Sequence, residues 1–138
     1  MGTVSVYDDY AHHPTAIQAT LETFKEKFPD TKIWCVFQPH TYSRTSALLK
    51  EFGQAFKSAD KVIITDIYSS EREKEGSVTG AQLADEIRKN QTNVRYIGDS
   101  QKIEKFIQDS IKGPAIVVTI GAGDVYKIGE DLLRAFKA

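Results

Sequence analysis

One cysteine, Cys35, stands in a chain of 138 residues. No disulfide can form within the chain, and the apolar setting Ile33-Trp34-Cys35-Val36-Phe37 predicts a buried thiol rather than a catalytic one. A reducing, cytoplasmic setting suits it. No apolar run approaches the ~18 residues that a membrane span requires, and no signal peptide or targeting tail is evident. An excess of one charge is missing too: Lys+Arg 18 against Asp+Glu 19 leaves a net charge of −1, which gives no footprint for nucleic acid or an anionic membrane. Nor is there a GxxxxGK[ST] phosphate loop, and Gly121-Ala122-Gly123-Asp124-Val125-Tyr126 lacks the third glycine of the dinucleotide fingerprint. Small molecules are the expected partners. Met1-Gly2 directly before a strand reads as an added start on a piece of something longer.

What is present is an alternation of strands and helices. A strand at about 3–8 leads to a helix opened by Pro14, with Ile17, Leu21, Phe24 and Phe28 on its apolar face. A second strand, about 32–38, is almost continuously apolar, as when helices cover both faces of a parallel sheet. One helix is expected over 43–59 through Leu48, Leu49, Phe52, Ala55 and Phe56, then a strand over 61–66. The polar stretch 67–78 reads as a solvated loop, with a lid that closes on ligand as the alternative. A helix over 79–90, a strand over 94–97 and a helix capped by Ser100 follow, then the buried strand 115–120. The last helix turns Val125, Ile128, Leu132, Leu133 and Phe136 inward. The expected fold is α/β: a doubly wound, mostly parallel Rossmann-like sheet of about five or six strands, helices on both faces.

Ligands of such sheets bind beyond the carboxyl ends of the strands. Those ends carry the unusual residues here: Asp8-Asp9-Tyr10-Ala11-His12-His13-Pro14-Thr15 after the first, Gln38-Pro39-His40-Thr41-Tyr42-Ser43-Arg44-Thr45 after the second, Asp66-Ile67-Tyr68 after the third, and Gly121 to Asp124 after the fifth. All three histidines fall in the first two. Asp9, His12, His13 and His40 could ligate zinc or manganese, yet adjacent histidines on a tight turn point apart, and His13 before Pro14 suits a residue that hydrogen-bonds backbone. Ser43 suits a helix start better than a nucleophile. Arg44 could bind a carboxylate in bidentate fashion or make a surface ion pair. A free-standing receiver-like or flavodoxin-like module holding a divalent cation at Asp8 and Asp9, with Asp66 as the candidate phosphoacceptor, is a different reading, and a metal hydrolase using His12 and His40 a third.

In order and spacing, the segments at 8–15, 37–45 and 121–124 resemble the carboxy-terminal domain of the Mur ligases, over essentially the whole chain. A murein-peptide branch shares the first segment; the second resembles the alanine-adding branch. The resemblance implies that residues 3–138 are the third domain of a bacterial, cytoplasmic enzyme whose UDP-sugar domain and central ATPase domain lie outside this chain. It implies ATP and Mg2+ as cofactors, with phosphates and metal held mainly by the central domain and no metal site here. The partners are that domain, L-alanine, ATP and UDP-N-acetylmuramate, whose carboxylate is phosphorylated before the alanine amine attacks it. Tyr10, His12, His40 and Arg44 would form the L-alanine site. Asp9, with Asp8, would meet the ATP ribose, and Gly121, Ala122, Gly123 and Asp124 would form a substrate loop. Many members carry a second arginine where this chain has Thr41. Isolated, the domain should be inactive, because amide formation needs three aligned reactants and a closing domain that excludes water.

Overall fold

A computed structural model describes residues 3–68 and 78–137. The proposed lid falls mostly at 69–77, outside the described residues. The elements run β1 (Val4–Asp9), α1 (Pro14–Lys27), β2 (Lys32–Phe37), α2 (Tyr42–Ala47), α3 (Leu49–Gln54), β3 (Lys61–Ile64), α4 (Gly80–Arg88), β4 (Val94–Tyr96), α5 (Ser100–Ser110), β5 (Ala115–Ile120) and α6 (Tyr126–Lys137). All strand pairs are parallel, in the order β1-β5-β2-β3-β4.

That order decides which face each helix covers. The crossovers β1 to β2, β2 to β3 and β3 to β4 all step the same way across the sheet, so right-handed connections put their helices on one face. The return from β4 to β5 steps backward and puts α5 on the other, where α6 joins it. The core divides accordingly. Ile17, Leu21, Phe37, Phe52, Phe56, Leu83 and Ile87 pack on the first face, and Trp34, Val36, Ile63, Ile103, Ile107, Val117, Ile128 and Leu132 on the second. Burying each such side chain stabilises the fold by roughly 1.5–3 kcal/mol. Burial pushes the Cys35 thiol well above its ordinary range, with Asp9 adding to the effect, so this thiol stays protonated and inert.

Local expectations change at several points: Phe28 is the exposed C-cap of α1 rather than part of its apolar face, and β3 ends at Ile64 rather than at 66. The helix expected over 43–59 is two, parted at Leu48 (φ −110°, ψ 21°). Buried Thr45 donates its hydroxyl to the Thr41 carbonyl at 2.8 Å, a back-bond of the kind that bends helices. Asp99 rather than Ser100 caps α5, because its carboxylate accepts from two amides, those of Gln101 at 2.8 Å and Lys102 at 3.4 Å. Leu133 is 38% exposed, one position beyond the Ile128–Leu132 ridge and so turned about 100° off it. No helix among the described residues is long and apolar enough to cross a membrane.

Candidate functional site

β1, β5 and β2 are neighbours, so their carboxyl ends form one rim, and backbone bonds carry the ladder into the loops: Gly121 N–H to Asp9 O at 3.0 Å and Gln38 N–H to Ile120 O at 3.0 Å. Side chains alternate along a strand, so Asp8 and Asp9 face opposite sides of the sheet. Asp9 looks toward α1, where its Oδ2 accepts from Thr20 Oγ1 at 2.6 Å and its Oδ1 from the Ala11 amide at 2.9 Å. Asp8 looks the other way and accepts from buried Thr119 Oγ1 at 2.6 Å. Two acids adjacent in sequence thus do separate work.

The turn after Asp9 presents Tyr10, 69% exposed, edge-on to His12 with ring centroids 6.1 Å apart. The His12 ring lies 3.3 Å from the Tyr10 carbonyl. His13 points elsewhere: its Nδ1 accepts from the Thr15 amide at 3.3 Å, a backbone bond of the kind expected before Pro14, and this bond also caps α1.

Beyond β2 the chain runs beside the segment after β3. The Tyr68 amide donates to Pro39 O at 2.8 Å, the Thr41 amide to Tyr68 O at 2.7 Å, and the His40 ring stacks on Tyr68 at 5.6 Å and 16°. Thr41 then takes φ +66°, left-handed and strained for a β-branched residue, and its hydroxyl accepts from the Arg44 amide at 3.2 Å to cap α2. The turn is tight enough to set half-buried Arg44 one helical turn after His40. No ion pair among the described residues engages Arg44.

The turn at 121–124 closes the rim. Gly121 has φ +155°, and a Cβ there would lie 2.9 Å from the Gln38 carbonyl, so only glycine fits without strain. Next to it, the Gln38 side chain donates to Asp124 Oδ1 at 2.7 Å and accepts from the Val125 amide at 3.2 Å. Sequence reasoning gave no role to Gln38, Thr20 or Thr119, whose partners lie far along the chain; only their hydrogen-bonding chemistry signalled them.

On the far side of Gln38 and Asp124 lies a cleft of about 340 Å³ that also touches Asp66, Gly98, Ser100, Glu104, Lys127 and Asp131. Partial burial first, and the hydrogen bond to Asp131 second, push Glu104 up to about 7. Arg134, and then Glu104, hold the Asp131 carboxyl below its usual range. Tyr96 donates to Asp66, and that bond, with some burial, raises its phenol. Among the described residues no three His, Cys, Asp or Glu side chains form a group able to hold a metal.

A parallel sheet wound on both faces, with its polar residues gathered on the carboxyl rim, matches known proteins. Residues 1–123 match the family model described as Mur ligase, glutamate ligase domain, and the chain belongs to that family. It is 53% identical over 128 residues, 93% of its length, to a UDP-N-acetylmuramate--L-alanine ligase of Alkaliphilus metalliredigens, of which it covers 27%. Among solved structures it is similar to the UDP-N-acetylmuramate-alanine ligase of Thermotoga maritima (TM-score 0.78, 27% identity, 97% of this chain and 27% of that one). It is also similar to a separately crystallised domain from a Haemophilus ducreyi protein provisionally named as a UDP-N-acetylmuramate:L-alanyl-gamma-D-glutamyl-meso-diaminopimelate ligase (TM-score 0.71, 25% identity, 96% of this chain and 90% of that one). The chain spans about a quarter of the length of the curated relatives it matches.

Proposed function

We propose that this chain, residues 3–138, is the amino-acid-binding and nucleotide-closing domain of an alanine-adding Mur ligase, which joins L-alanine to UDP-N-acetylmuramate in bacterial peptidoglycan synthesis. The observation that carries this reading is the convergence of Asp9, His40, Arg44 and the Gly121–Asp124 turn on one rim. ATP would supply the activation of the acceptor carboxylate. What remains for this chain is to hold the incoming amine, orient it and keep water away.

Arg44, capped into place and without an ion-pair partner among the described residues, is assigned to the alanine carboxylate. With threonine at position 41 it works without a second arginine, and amides of the glycine turn complete the clamp. Tyr10, His12 and His40 wall the amino-acid site. Asp9 is assigned to the ATP ribose: two intramolecular donors fix its carboxylate, and each oxygen keeps lone-pair capacity for a hydroxyl. Asp8, held toward α6 by Thr119, supports that edge from the opposite face. The rim residues fit a sugar hydroxyl and an amino acid. A Mg2+ ion would be held mainly by a central ATPase domain, which this domain closes upon.

The test is Arg44→Ala in the complete ligase. Loss of a charged clamp should raise the KM for alanine about 30- to 100-fold, with the KM for ATP nearly unchanged. Unchanged alanine dependence would remove Arg44 from this role. The isolated chain should show no ATP turnover.

A further inference from the structure

We propose that, at the amino-acid site read above, Gln38 is a positioning residue whose carboxamide ties the glycine turn after β5 to the His40–Arg44 segment after β2. Its backbone still belongs to the ladder, donating to Ile120 O, while its side chain crosses to the turn. There Nε2 donates to Asp124 Oδ1 at 2.7 Å and Oε1 accepts the Val125 amide at 3.2 Å. A carboxamide carries a donor and an acceptor on one uncharged planar group, so both bonds form from a single rotamer. Glutamate would set two acceptors against Asp124. Lysine would leave the Val125 amide without its acceptor.

The surrounding backbone is shaped to this contact. A Cβ on Gly123 would come within 2.5 Å of Gln38 Oε1 and 2.8 Å of the Tyr68 ring, and one on Gly121 within 2.9 Å of Gln38 O. Tyr68 is in turn the partner of Pro39, His40 and Thr41. The glycine turn and the histidine-arginine segment therefore share two supports, Gln38 and Tyr68. Of the two, only Gln38 bonds to the turn through polar atoms on both sides of its group. A shift of the turn would thus be transmitted to His40 and Arg44 through residue 38, two positions upstream of His40.

The experiment is a swap of bond polarity: Gln38→Glu, Asp124→Asn, and both together. In the double variant the new amide donates to the new carboxylate, which still accepts from Val125. In the complete ligase, Gln38→Glu at neutral pH should raise the KM for alanine about tenfold or more, with the KM for ATP moving far less. The double variant should regain most of that loss, and the single variant should improve as pH falls and the new carboxyl, once protonated, donates again. A double variant no better than the single, or alanine and ATP constants rising together, would overturn the assignment. In the 138-residue chain, amide NMR should show Gln38→Glu moving signals at Gly123 to Val125 and at His40 to Arg44, and the double variant restoring them. Shifts confined to residue 38 and its sequence neighbours would count against the tie. Should Gln38→Glu not fold, Gln38→Met keeps the length and loses both bonds; it should raise the KM for alanine over that for ATP and move the same amide signals, with no recovery at low pH and no rescue by Asp124→Asn. If the unmodified ligase shows no dependence on alanine, the functional reading fails, while the NMR result still decides whether the tie exists.

Discussion

The carboxyl rim is built in two ways on either side of β2. Over β1, β5 and β2, three strand-end side chains each meet a complementary group from another element: Asp9 meets Thr20, Asp8 meets Thr119, and Gln38 meets Asp124 and Val125. Over β3 and β4, with α5 and α6, carboxyls line an open cleft and two of them, Glu104 and Asp131, bond to each other. The first half is fixed by donors that folding itself supplies, which suits a site that must be in place before its ligand arrives. In the second half, burial and the bond to Asp131 raise Glu104 to about 7.

The largest effect should come from Gly123→Val, which drives side-chain atoms into Gln38 and the Tyr68 ring. A loss of about 2–3 kcal/mol of stability is expected by chemical denaturation. A variant as stable as the parent would show the stitched half to be looser than its geometry implies. Thr20→Val should cost about 1 kcal/mol, since one donor to Asp9 is lost while the Ala11 amide remains. In the complete ligase it should raise the KM for ATP more than that for alanine, which sharpens the division of labour along the rim.

The open half should respond to pH instead. Glu104 is raised from 4.5 to about 7, so the stability it contributes is fully present below 4.5 and lost as pH rises through about 7. Asp131 is lowered from 3.8, so its contribution is present above that value and lost as pH falls through its lower folded value. Thermal midpoints should therefore fall from about pH 5 to about pH 8, and Glu104→Gln should flatten that slope. An unchanged slope would assign it to other groups. The smallest effect belongs to Leu133→Ser, within about 0.5 kcal/mol because the side chain already meets solvent. A larger loss in the complete ligase than in this chain would mark Leu133 as covered there.

Much of the fold was readable because β2 and β5 are apolar runs buried along nearly their whole length and the helices carry regular ridges. The break at Leu48 was not, since the apolar spacing continues across it and nothing in the residue types there marks a stop. The place of β5 in the sheet was not readable either, because strand order depends on long-range pairing that leaves no local mark. At the site, the gathering of motifs on one rim followed from parallel topology. The opposite facing of Asp8 and Asp9 was implied by strand alternation, but only Thr20 and Thr119 show what each acid does. Gln38 stayed hidden because its partners arrive from the other end of the chain.

That arrangement bears on how the protein is made. Val4 lies beside Ala115, and among the described residues β1 is bonded to no strand but β5. Among the described residues, β1 therefore finds its partner only once β5, made more than a hundred residues later, takes its place between β1 and β2. The pairing that closes this sheet and the contacts that tie its rim thus both span nearly the whole chain, the kind of long-range closure that slows folding.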